Sequence, residues 1–77
     1  MIQPNLTMIE TVLDRAKSWG FVCKEDIEGS WQILPQQPTE RWKMHLSGDR
    51  WLLIIGDVPQ VKLHSHEAIA FLERRCL

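Results

Sequence analysis

Two groups of residues in this chain have types and spacings that could do chemistry. The first is His64-Ser65-His66-Glu67. In an extended segment side chains two residues apart point the same way, so the two imidazoles could share a metal ion. Zinc takes three or four protein ligands, and nothing in the spacing brings His45, Asp57 or Cys76 to complete the set. The second group is Arg41, Lys43, His45 and Arg50, which gather beside Leu52 and Ile54 if the segment folds as a hairpin. Basic side chains on an open sheet could track phosphates, and Lys62 with Gln60 would extend the patch onto a neighbouring strand. Large aliphatics among them suit a protein partner or a second copy of the chain.

The remaining reactive residues read as structural. Cys23 and Cys76 lie far apart, outside any CxxC or nucleophile motif, in periodic segments where cysteine packs as a small hydrophobe. No secretory apolar segment precedes them, which suggests a reduced, cytoplasmic pair. Glu25, Asp26 and Glu28 lack the glycine-spaced pattern of a calcium loop. Each glycine stands alone, so there is no phosphate-cradling loop, and no Ser-His-Asp order stands out. A chain of 77 residues rarely encloses a substrate pocket of several hundred Å³, so neither catalysis nor a cofactor is expected.

These groups need a scaffold, and the stretch Arg41 to Ile55 supplies its centre. Gly48-Asp49 suits a type II′ turn, with glycine taking the positive φ at the first central position. Around that turn Ser47 faces Arg50, Leu46 faces Trp51, Met44 faces Leu53 and Trp42 faces Ile55. Six large apolar side chains then share one face. Arg41, Lys43, His45, Arg50, Leu52 and Ile54 share the other.

On the N-terminal side, Leu6, Ile9, Val12, Leu13, Ala16 and Trp19 recur at helical steps from Asn5 to Trp19. Thr7 with Glu10 has the spacing of a capping box, Asn5 is an alternative cap, and Gly20 sits where a left-handed C-cap residue belongs. Phe21 to Lys24 could be a strand, Lys24 to Gly29 reads as a charged loop, and Trp31 to Leu34 is a strand ended by Pro35. Pro35 to Thr39 is a loop.

Beyond Ile55, two connections compete. A two-residue Gly56-Asp57 loop would turn Gln60 and Lys62 inward, whereas a Gly56-Asp57-Val58 loop puts Pro59, Val61 and Leu63 opposite Ile55, Leu53 and Trp51. A one-residue slip exchanges the faces of a strand, so the longer loop is preferred. Pro59 marks an edge strand. Ser65 is a candidate N-cap for a last helix with Ala68, Ile69, Leu72 and Cys76 on its apolar stripe and Arg74 and Arg75 at its end.

The expectation is a single small α+β domain over residues 1–77, with an N-terminal helix, an antiparallel meander of three to four strands and a C-terminal helix. Both helices pack on the tryptophan-rich face. Net charge is −1 and no apolar run approaches the ~20 residues that span a bilayer. The composition therefore carries neither a basic nucleic-acid footprint nor a membrane anchor.

The order of helix, strands and helix resembles double-stranded RNA-binding domains, which implies that fold and raises binding to nucleic acid. Where that family has a lysine-rich start to its last helix, this chain has Ser65-His66-Glu67-Ala68-Ile69-Ala70. The runs GDRWLLIIGDVPQVKL and EAIAFLERR also resemble small uncharacterised proteins of cyanobacteria, a likeness that implies no activity. The leading functional expectation is a non-catalytic module that binds a protein partner or itself through the outer sheet face or a strand edge. Weak binding of nucleic acid or another anion is the alternative.

Overall fold

A computed structural model describes the backbone of residues 4–76 and the side chains of residues 8–76. The proposed caps at Asn5 and Thr7, and the apolar position Leu6, lie outside the described side chains. The order of elements is α1 (Pro4–Ser18), β1 (Val22–Glu25), β2 (Trp31–Leu34), β3 (Trp42–Ser47), β4 (Arg50–Ile55), β5 (Val58–Leu63) and α2 (Ser65–Arg75). The strands form one antiparallel meander in the order β1-β2-β3-β4-β5. Five strands replace the three or four expected, because Val22–Glu25 and Trp31–Leu34 both join the ladder. Both helices lie on one face of the sheet.

Helix α1 buries Val12, Leu13 and Ala16, the stripe that its three- and four-residue spacing dictates. It ends in a Schellman motif. Gly20, at φ 88°, donates its N–H to Lys17 O at 3.0 Å, and Phe21 donates to Ala16 O at 2.9 Å. That bond turns Phe21 into the core, where its ring meets Trp42 edge-on at 5.6 Å, and Trp42 meets Phe71 of α2 at 5.1 Å. Three elements are thereby tied through one indole.

The central hairpin adopts the register expected from Gly48-Asp49, from Trp42 opposite Ile55 to Ser47 opposite Arg50. Positive φ falls on Gly48, at 65°, and not on Asp49. Trp42, Met44, Trp51 and Leu53 are buried, while Leu46 is half-buried. Ile55, expected in the core, is 43 % exposed, because β4 runs past the helices at that end. Among the described residues, the indole N–H groups of Trp42 and Trp51 are buried without an acceptor. Packing alone holds these two rings.

The β4–β5 connection corrects the preferred three-residue loop. Gly56 (φ 57°) and Asp57 (φ 66°) both take the left-handed conformation of a two-residue type I′ turn, so Ile55 faces Val58 and Ile54 faces Pro59. A shift between Leu53 and Ile54 leaves Gln60 as an extra residue on β5, after which Leu53 faces Val61 and Trp51 faces Leu63. The bulge restores the alternation that the short turn would have inverted. Lys62 therefore points outward, as expected, whereas Pro59, expected on the core face opposite Ile55, points outward beside Ile54. Val61 keeps its expected face but is 50 % exposed, since the helices do not reach it.

Helix α2 is capped one residue earlier than expected. His64 has extended angles (φ −67°, ψ 161°), accepts from the Ala68 N–H at 2.9 Å and donates its own N–H to Glu67 Oε1 at 2.9 Å. Ser65 becomes the first helical residue and is buried. Ala68 and Leu72 face the core, and Arg75 lays its guanidinium 3.8 Å from the centre of the Phe71 ring.

Candidate interaction face

The sheet face opposite the helices is open, and the strand registers arrange it in rows. Antiparallel partners directly opposite one another share a face. Lys24 faces Gln32, Gln32 faces His45, His45 faces Leu52 and Leu52 faces Lys62, one row across all five strands. A neighbouring row holds Val22 and Leu34 on β1 and β2, then Lys43, Ile54 and Pro59 on β3, β4 and β5.

This placement brings His45, Leu52 and Lys62 side by side and sets Lys43 beside Ile54. It does not cluster all the basic residues. Arg41 precedes the first residue of β3 while Arg50 opens β4 at the other end of the hairpin, so the two lie roughly 20 Å apart at about 3.4 Å per strand residue. Lys43 Nζ is 3.8 Å from Asp57 Oδ1 across the β4–β5 turn. Gln60 does not extend the patch, because it sits in the bulge with its side-chain amide donating to Val58 O at 3.1 Å.

Leu52 and Ile54 are half-buried. Cover by the loop around Gln36 and Gln37, an alternative left open by the sequence, is not the cause. Gln36 Nε2 donates to Trp19 O at 2.9 Å, and both glutamines line a cleft with Phe21, Glu40 and Arg75 on the helix side of the sheet. The aliphatics are shielded by their cross-strand neighbours, including the lysine stems.

One side chain of the face is fixed by a hydrogen-bond network that the sequence did not announce. Ser30, at the end of the β1–β2 turn, donates its hydroxyl to Leu46 O at 2.9 Å and lies 3.3 Å from His45 Nε2. A serine hydroxyl has one proton, and the carbonyl takes it. His45 must therefore carry hydrogen on Nε2 and donate to Ser30. Asp26 builds the turn that delivers Ser30: its Oδ1 accepts from the N–H groups of Glu28 and Ser30, both at 2.9 Å. The acidic loop is thus a hairpin turn organised by Asp26.

The other candidates do not assemble. The His64 and His66 rings stack in parallel, 5.7 Å apart at 8°. Among the described residues no group of three or more His, Cys, Asp or Glu is placed to hold a metal ion. Cys23 and Cys76 are free, half-buried thiols. Burial pushes the Cys23 thiol above its ordinary range, with Lys17 opposing, and its Sγ points at Leu13 O at 4.0 Å. Cys76 Sγ donates to Glu73 O at 3.1 Å. No helix among the described residues is long and apolar enough to cross a membrane.

Val22, Lys24, Gln32, Leu34 and Pro59 belong to the face and were not singled out from the sequence. Alternation within β1 and β2 contains the signal, but it becomes readable only once their registers against β3 are known. Comparison with protein-family models, with curated proteins and with solved structures finds no match.

Proposed function

We propose that the chain is a small non-catalytic interaction module that binds a protein partner through its open sheet face. The observation that carries this reading is the half-buried pair Leu52 and Ile54, placed mid-sheet with no element of the described chain packed over them. The face spans all five strands. It suits surface-to-surface contact better than enclosure of a small substrate. Free Cys23 and Cys76 fit a reducing cytoplasmic setting for such a module.

The test is capture from native cell extract, with Leu52→Glu as the comparison. Leu52 faces Lys62, so the substituted carboxylate meets a cation and the fold is kept, which circular dichroism checks. A partner retained by the wild-type chain and lost by the variant supports the reading. Equal capture by both sinks it.

Binding of nucleic acid or another polyanion is the second reading, favoured by Lys24, Lys43, Arg50 and Lys62 on the same face. Counterion release predicts that such binding falls steeply with ionic strength, whereas a mainly apolar protein contact changes little.

A further inference from the structure

We propose that the occupant of the open sheet face is an acidic amphipathic helix of another protein, lying across the strands along the row from Lys24 to Lys62. The proposal rests on the interaction-module reading and adds the chemistry of the partner. The helices mix Glu10, Asp14, Glu67 and Glu73 with Arg15, Lys17, Arg74 and Arg75, but the strand positions of the open sheet face carry one sign of charge. All ten Asp and Glu residues lie in helices, turns and loops or, for Glu25, on the helix side of the sheet, while the strand positions of the open face carry Lys24, Lys43, Arg50 and Lys62. An acidic partner is the electrostatic complement.

Between these cations the face is aliphatic. Leu34, Leu52 and Ile54 are half-buried there, and His45 supplies the one aromatic ring among the strand positions of this face. Nucleobases bind such sheets by stacking on outward aromatic rings, and here the three sheet tryptophans point to the helices. Aliphatic side chains from a protein find matching surface.

Size agrees. Lys24 and Lys62 end a row crossing four strand spacings of about 4.8 Å, or about 19 Å, which a helix of roughly 13 residues covers at 1.5 Å per residue. Carboxylates near both helix ends with an apolar stripe between them would meet lysines at both edges and aliphatics in the middle. A second copy of the chain does not suit this face, because two such faces would set lysine against lysine.

The experiment uses the ¹⁵N-labelled full chain and three probes. These are a helical peptide of about 16 residues with a leucine stripe and glutamates at both ends of it, its Glu→Gln counterpart, and a single-stranded oligothymidine of matching length. Expected are amide shifts along Lys24, Gln32, His45, Leu52 and Lys62 with the glutamate peptide. Affinity should drop roughly tenfold for the glutamine peptide and for the Lys24→Glu/Lys62→Glu double variant, as loss of two exposed pairs predicts. Equal affinity for both peptides overturns the acidic partner while leaving an apolar contact at this face. Preference for the oligothymidine overturns it in favour of nucleic acid. Shifts away from this face, or none with any probe, overturn the site itself, independently of the Leu52→Glu capture experiment.

Discussion

Asp57 is the one non-glycine among the described residues with positive φ, at 66°. A left-handed conformation costs an L-residue about 1–2 kcal/mol, less for Asp or Asn, and nothing extra for Gly. Asp57→Gly is therefore expected to leave stability unchanged or raise it by up to ~1 kcal/mol, and Asp57→Val to lower it by about 1–2 kcal/mol in urea unfolding. The ion pair to Lys43 does not reverse that order, because the Asp57 side chain is 94 % exposed and well screened. Cys23 makes a second point at this scale. Burial raises its folded pKa, so at pH below the ordinary thiol value of roughly 8.5 both states hold the proton and no stability is lost. Above that value the unfolded chain releases its proton first, and stability falls until the folded thiol ionises too. Cys23→Ala should remove this alkaline slope, which unfolding curves between neutral and alkaline pH will show, and the wild-type thiol should alkylate more slowly than a free cysteine.

The bulge in β5 decides the behaviour of an element. Its extra residue reconciles a two-residue turn with inward Val61 and Leu63. Deleting Gln60 would join Pro59 directly to Val61 and leave a regular ladder with every remaining side chain on its present face. That deletion is expected to fold with a stability change within about 1 kcal/mol, whereas deletion of Lys62 would turn the half-buried Leu63 away from the core it packs against and cost about 1–3 kcal/mol. Thermal unfolding of the two variants separates these outcomes. The same element explains what the amino-acid order revealed. The β3–β4 register was legible because the Gly48-Asp49 turn and the alternation from Trp42 to Ile55 agree. On β5 they conflict, and a bulge solves the conflict without a distinctive residue to mark it. Likewise Ser65 is the candidate cap by residue type, yet Glu67 reaches the N–H of His64, a choice made by three-dimensional approach.

For the whole molecule, the long axis is 42 Å against 24 and 23 Å, and both helices lie on one face of the sheet. The basic and aliphatic residues of Arg41 to Ile54 could be assigned to the uncovered face from the hairpin alone. The contributions of β1 and β2 could not, because four-residue strands carry too few alternations to fix their pairing. Lys24 and Lys62 now read as guards on that face, keeping Leu34, Leu52 and Ile54 from associating without a partner. Replacing both with leucine is expected to raise the mass measured by light scattering with concentration, relative to the wild-type chain, while circular dichroism stays the same. An unchanged mass would remove that role. With a net charge of −1 the protein exerts almost no long-range pull on other molecules. Its charge is nevertheless uneven: Glu10, Asp14, Glu67 and Glu73 on the helices are balanced by Arg15, Lys17, Arg74 and Arg75, whereas the strand positions of the open face carry Lys24, Lys43, Arg50 and Lys62 with no carboxylate among them. A negatively charged surface coming within a Debye length would meet attraction at the sheet and near balance at the helices, so productive encounters favour the sheet side.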